Sequence, residues 1–277
     1  MGKKNSTGGW IVAGIVVLGV VAAGVYLARR GAQLGTSASP ATAASSAATN
    51  VANPAPPPIQ HPISQASVPA SASTTALPAL DDSDASVASA LADLAGASDV
   101  HSLLISQQVI PRIVATIDSL PRRGLGTFML PARTPRGNFI AINGPAGTLM
   151  SEQNIARYAP YMRIVENVDA KALVSWYVRS YPLFQDAYRQ LGYPRGYFND
   201  RLIVVIDNML AAPDLDQPAA LIPSKSSYAY VDPSLESLSA GQKLLLRVGP
   251  ANEATLKAKL REIRAAIAGQ ALPAKHD

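Results

Sequence analysis

The chain has 277 residues, with 24 Lys and Arg against 19 Asp and Glu, three His and no Cys, for a formal charge of +5. The absence of cysteine excludes disulfides, thiol catalysis and every Cys-based zinc or iron–sulfur site; with His61 in a proline-rich stretch and His276 penultimate, a His-rich metal site is excluded too. The positive charge does not indicate nucleic acid: Lys3, Lys4, Arg29 and Arg30 flank one apolar run, and the 20 basic residues left from Asp81 onward face all 19 acidic ones, so no domain-wide field seeks phosphate.

From the amino end, residues 1–9 form a short tail and Trp10 to Ala28 an unbroken apolar run, WIVAGIVVLGVVAAGVYLA. At about 1.5 Å per residue, such a helix spans roughly 28 Å, close to the hydrocarbon thickness of a bilayer, and satisfies its backbone polar groups internally. A cleaved signal peptide is the competing reading. The run is longer than the usual apolar core of such peptides, and Arg29-Arg30 stands where small residues should precede cleavage. The expectation is a retained single-pass transmembrane helix over 10–28 that contacts the lipid bilayer. The short tail before it reads as a signal anchor of a bacterial inner membrane, which places the rest of the chain in the periplasm.

Residues 29–79 read as a disordered Ala/Ser/Pro linker, uncharged after Arg30 and marked by Pro56-Pro57-Pro58. The domain expected over 80–269 is mainly α, with at most a short β-hairpin, followed by a tail at 270–277. Ser83 or Asp84 can cap a first helix with Val87, Leu91 and Leu94 on one face and Gly96 at its end. Ser98 opens a second, and Pro111 fits the first turn of a third, apolar at Ile113, Ile117 and Leu120. From Arg122 to Thr148 glycine and proline dominate, and only Asn138 to Ile142 reads as a strand. Asp169 starts a long helix to Leu191, bent or divided at Pro182. Asn199 caps another, apolar nearly all round from Leu202 to Leu210. Ser239 and Gln242 form a capping box, and Asn252 caps a last helix with Leu256, Leu260, Ile263 and Ile267 aligned.

The runs YPLFQDAYRQLGYPRGYFNDRLIVVID (181–207) and DPSLESLSAGQKLLLRVGPANEATLKAKLREIR (232–264), with LDDSDASVASALADL and IPRIVATIDSLPR before them, resemble the bacterial domain-of-unknown-function family 3014. The resemblance covers 77–264. It implies a proteobacterial protein with an N-terminal membrane segment, a Pro/Ala-rich linker and this one domain, and it carries over no catalytic residue. The family pattern departs at Ile110-Pro111, where an arginine often precedes the Arg-Ile-Val segment.

Eight of the chain's 16 aromatics fall between Trp176 and Phe198. Tyr177, Tyr181, Phe184 and Tyr188 share one helical face, either as a stacking platform for a sugar or peptide or as a core of large side chains. Asn199, Asp200 and Arg201 stand at a helix N-terminus that could hold an anion; the alternative is plain capping, with Arg201 paired to Asp186 or Asp207. Two polar groups at helical spacing, Asn154/Arg157/Tyr158 and Gln242/Lys243/Arg247, could line a pocket or form buried hydrogen-bond networks. Lys257, Lys259, Arg261 and Arg264 read as a solvated face, with Glu253 supporting Lys257. No spacing selects a pair of catalytic carboxylates, and no phosphate loop, nucleophile elbow or cofactor fingerprint is present.

The candidate binding residues are therefore Tyr177, Tyr181, Tyr188, Asn199, Asp200, Arg201, Lys243 and Arg247, with no cofactor or metal expected. The function expected is non-catalytic binding or scaffolding of an envelope protein or peptidoglycan, without nucleic acid. The alternative is an envelope enzyme acting on glycan or peptide, with Asp200 or Asp186 beside a tyrosine-rich cleft.

Overall fold

The computed structural model describes residues 57–67, 76–124, 130–144, 147–215, 217–224 and 227–268. The expected membrane span at 10–28, most of the linker and the tail at 270–277 lie outside these residues. Among the described residues, no helix is long and apolar enough to cross a membrane.

Among the described residues, ten α-helices and four short strands are formed. They are α1 (Asp84–Ala95), α2 (Ala97–Leu103), α3 (Val109–Ser119), β1 (Ala141–Gly144), β2 (Gly147–Met150), α4 (Gln153–Ala156) and α5 (Ala159–Asn167). There follow α6 (Ala170–Gln190), α7 (Phe198–Leu210), β3 (Leu221–Ser224), β4 (Ser227–Tyr230), α8 (Pro233–Ser237), α9 (Ala240–Val248) and α10 (Pro250–Ala268).

Helix α6 is the central column, packed against α3, α7 and α10. The Asp169 carboxylate caps it by accepting the Ala172 N–H at 2.8 Å. It runs as one helix through Pro182, so of the two expected outcomes, a bend or a division, the division does not occur. An interior proline removes one backbone hydrogen bond and costs about 3 kcal/mol, which the packed face of α6 offsets: Leu173, Val174, Tyr177, Leu183 and Phe184 are all buried. Phe184 and Phe198 are fully enclosed, stacked with centroids 5.9 Å apart, and each such ring contributes about 1.5–3 kcal/mol by burial.

Three helix starts differ from expectation. Helix α2 begins at Ala97 behind Gly96, not at Ser98. Helix α7 begins at Phe198, because the Gln185 side chain accepts the Phe198 N–H at 2.9 Å from across the core and so takes over the capping role. Helix α10 begins at Pro250, which suits a first turn lacking a donor, and Asn252 within it turns back to donate to the Val248 carbonyl. The capping box of Ser239 and Gln242 is present as expected.

The largest departure is the sheet. In place of at most one hairpin, two hairpins join into a four-stranded antiparallel sheet ordered β1-β2-β3-β4. β1 and β2 pair from Ala141↔Met150 to Gly144↔Gly147, β3 and β4 from Leu221↔Tyr230 to Ser224↔Ser227. The hairpins meet at Thr148↔Leu221, more than seventy residues apart in sequence. Leu221 and Tyr230 turn inward and, with Leu246 of α9, form a second apolar cluster beside the main helical core. Ile142 and Ile222 lie on exposed positions of the sheet.

The linker differs too. Residues 57–67 lie along the domain as a strap with one 3-10 turn at Ile63–Gln65. The Ser67 N–H donates to the Ala266 carbonyl of α10 at 2.8 Å, and the Ile63 N–H to the Tyr197 hydroxyl at 2.8 Å.

Candidate functional site

The tyrosine stripe is core. Tyr177, Tyr181 and Tyr188 are each less than 8% exposed. Tyr177 meets Tyr181 edge-on at 5.8 Å, and Tyr188 stacks on Tyr193 at 4.6 Å. Two of the hydroxyls are spent within the fold: Tyr181 donates to Gln185 Oε1 at 2.6 Å and Tyr177 to Asn199 Oδ1 at 3.2 Å. Burial pushes both hydroxyls well above the ordinary tyrosine range, with neighbouring tyrosines adding to it. Gly196 admits the close approach of Tyr188: a Cβ there would stand 2.7 Å from the ring.

Asn199 and Asp200 serve the strap. The Asp200 carboxylate accepts the N–H of Gln60 at 3.0 Å and of His61 at 2.7 Å, while Asn199 Nδ2 donates to the His61 carbonyl at 2.9 Å. Arg201 turns away to Asp118, at 2.8 Å, and neither Asp186 nor Asp207 is its partner. Asp118 is 3% exposed and also accepts from Arg122 and the Tyr193 hydroxyl. Asp207 instead pairs with Arg264. Of the two readings of this helix end, the anion site finds its place taken by the chain's own backbone donors and ion pairs.

The face of α10 expected to be solvated is partly built in: Arg261 is exposed, but Lys257 is not. Lys257 is 3% exposed, donating to the Ala212 carbonyl at 2.7 Å and to Asp214 at 2.6 Å, and it lies 2.8 Å from Glu253 Oε1. That oxygen is buried and outside hydrogen-bond geometry; burial raises the Glu253 carboxyl above its usual range against the pull of Lys257.

An open cavity lies elsewhere. About 460 Å³ separates the inner face of the sheet from α4, α9 and the start of α10. Its apolar walls include Met150, Ile155, Leu221, Tyr228, Tyr230 and Leu246, and its polar groups include Arg157, Arg247, Glu152 and Glu253. Phe139 at the edge meets Tyr228 with centroids 5.3 Å apart. The backbone turns sharply under the cavity at Gly249, whose φ is +91° and where any Cβ would stand 2.6 Å from Ile155, so only glycine fits.

The two arginines are held differently. Arg157 braces the loop before β1: Nε donates to the Arg136 carbonyl at 2.9 Å, Nη2 to those of Gly137 at 2.7 Å and Pro135 at 3.3 Å, and Nη1 to Asn154 at 3.2 Å. Asn154, 1% exposed, mimics a neighbouring strand by exchanging both bonds with Ile140, at 3.0 and 2.6 Å. Arg247, in the last turn of α9, lies over the Tyr230 ring at 5.9 Å. Among the described residues, no carboxylate forms an ion pair with Arg157 or Arg247. The nearby Glu236 is committed to Lys243 at 2.6 Å and to the Tyr230 N–H at 3.0 Å. Burial alone would raise the Glu236 carboxyl, but those partners, with Arg247 behind them, hold it below its usual range. Lys243 is therefore structural, while Arg247 faces the cavity. Burial also raises the hydroxyls of Tyr158 and Tyr230, against the opposing charge of Arg247.

Of the eight candidate residues, only Arg247 lines this cavity. The cavity brings together Arg157 and Tyr158 from one helical-spacing group and Arg247 from the other, ninety residues away. Phe139, Tyr228, Tyr230 and Glu253 have no signal of their own in the sequence beyond ordinary strand or helix positions.

A family described as "Protein of unknown function (DUF3014)" matches residues 109–264, more than half of the chain. This span holds every residue lining the cavity, while the strap and α1 precede it. No curated protein and no solved structure matches the chain.

Proposed function

The chain belongs to the DUF3014 family, and from that premise we propose that it is a non-catalytic binding or scaffolding protein of the bacterial cell envelope. Residues 10–28 anchor it in the lipid bilayer of the inner membrane, and the domain acts on the periplasmic side, engaging an envelope protein or peptidoglycan rather than nucleic acid. The observation that carries the reading is the cavity between sheet and helices. Its volume of about 460 Å³ falls in the range of small-molecule and side-chain sites, and its mixture of apolar walls with a few convergent polar groups is the usual makeup of such sites.

An enzyme acting on glycan or peptide beside the tyrosines finds less support. That reading needs a cleft with two available carboxylates, whereas the tyrosines are packed together and Asp200 accepts from the strap. Within the cavity, Glu253 stands against Lys257.

The test is photo-crosslinking of the full chain in its own membrane, from a photoreactive residue at Phe139 on the cavity edge. The reading expects a discrete adduct there and none from the exposed Val204 on α7. Equal labelling at both, or none at Phe139, contradicts it. An alkaline phosphatase fused after Asp277 tests the topology, and an inactive fusion contradicts the periplasmic placement.

A further inference from the structure

Arg247 is a half-buried guanidinium at an apolar cavity, and it lies against an aromatic ring instead of a carboxylate. A guanidinium holds its five donors in a fixed fork suited to carboxylate or phosphate oxygens; the Tyr230 side chain takes one hydrogen bond from Arg247, which leaves the other donors of the fork for a ligand. Arg157 contributes a second positive charge. Four of its N–H groups are spent on the loop carbonyls and Asn154, so it acts there as a fixed charge more than as a ligand fork. Both acids lining the cavity are poorly placed to neutralise this end: Glu253 stands beside Lys257, and Glu152 is exposed. The hydroxyl-bearing rings of Tyr158 and Tyr230 stand around the same arginine. Most of the remaining wall, from Met150 and Leu221 to Ile155 and Leu246, is apolar, with Asn138, Gln217 and Tyr228 as its other polar side chains.

We propose that this cavity binds a single-chain amphiphilic anion, with its carboxylate or phosphate on Arg247 and its hydrocarbon between the sheet and α9. The proposal rests on the cavity being the binding site and adds the chemistry of what fills it. A charged head on a matched guanidinium, away from bulk water, gains a strong charge-assisted hydrogen bond. A tail of about eight carbons gains roughly 0.8 kcal/mol for each methylene buried.

The test is calorimetric titration of the full chain in lipid nanodiscs, with empty nanodiscs as the blank, using n-octanoate, n-octyl phosphate, 1-octanol and n-octylamine. Octanoate or octyl phosphate should bind with one-to-one stoichiometry at least tenfold more tightly than octanol, and octylamine more weakly still. The stronger of the two anions tells a carboxylate head from a phosphate head. Arg247→Gln should abolish the preference of anion over alcohol while leaving octanol affinity within about twofold, and Arg247→Lys should restore part of it. A thermal melt of each variant checks that the fold survives loss of the contact with Tyr230. If octanol binds as tightly as octanoate, or if Arg247→Gln retains the preference, the anionic assignment fails while the cavity stands as a site. If none of the four probes binds, the amphiphile proposal falls, and the Phe139 crosslink alone decides whether the cavity is a site for another partner.

Discussion

The Asp200 Oδ1 oxygen accepts the backbone N–H of His61 at 2.7 Å, across 139 positions of sequence. With the second bond from Gln60, at 3.0 Å, this carboxylate does for the strap what a cap does for a helix. It makes residues 57–67 part of the domain. The strap also joins two elements, since Ile63 reaches Tyr197 and Ser67 reaches Ala266 at the end of α10.

Asp200→Ala should therefore free the strap without unfolding the domain. Loss of two bonds to a carboxylate costs about 1–3 kcal/mol locally. Hydrogen exchange should accelerate at Gln60, His61 and Ile63 while the amides of α6 stay protected. Uniform acceleration of the whole domain would show that the strap is indispensable to the core.

Asp84 heads α1, yet its carboxylate caps a different helix, accepting the N–H of Gln108 at 2.7 Å and of Val109 at 2.8 Å at the start of α3. Gln108 has φ +52°, the left-handed region that favours glycine. Asp84→Ala should lower stability by about 1 kcal/mol, and Gln108→Gly should offset part of that in a denaturant titration of the double variant. Independent, unchanged effects in the two single variants and the double would contradict the shared role.

Gly196→Ala places a methyl 2.7 Å from the Tyr188 ring and 3.1 Å from Tyr193 Cβ. Two stacked rings cannot both yield in a packed core, so a loss of about 1–3 kcal/mol is expected, read as a lower urea midpoint with an unchanged slope. Tyr188→Leu in the same chain should recover most of the loss.

Burial raises the Glu253 carboxyl, so the folded chain keeps this proton at pH values where the unfolded chain has released it. Stability from this group is thus present at low pH and falls as pH rises through the raised value, above about 4.5. Glu236 has the opposite sign: its lowered carboxyl adds stability above about pH 4.5 that is lost as pH falls below. Comparing melts of the parent chain and Glu253→Gln from pH 4 to 7 separates the two. The variant should lack the decline with rising pH, and an identical curve in both proteins would contradict the assignment.

Local signals were legible in the sequence and distant ones were not. Asp169 and the Ser239–Gln242 capping box act on donors three residues away, so their spacing alone identifies them. The caps supplied by Asp84 and Gln185 come from other helices, and nothing in neighbouring residues marks them. The sheet is illegible in the sequence for a related reason. Four-residue strands such as LIPS, with a proline inside, carry no alternation long enough to read, and β2 meets β3 only after more than seventy residues. The tyrosine stripe was seen as a face, but a periodic face does not say what covers it; here Phe198, Tyr197 and Tyr193 do. Arg157, Tyr158 and Arg247 were each visible as polar residues at helical spacing. Only the fold brings them to one cavity.

The central claim is that ligands enter the cavity at Arg247 and leave the tyrosine stripe untouched. It is tested most directly by tyrosine-selective isotope labelling of the full chain and NMR titration with octanoate. Resonances of Tyr158, Tyr228 and Tyr230 should shift in a saturable, common curve, with those of Tyr177, Tyr181 and Tyr188 unmoved. Shifts confined to Tyr177, Tyr181 and Tyr188 would contradict the account and return the binding site to the face of α6.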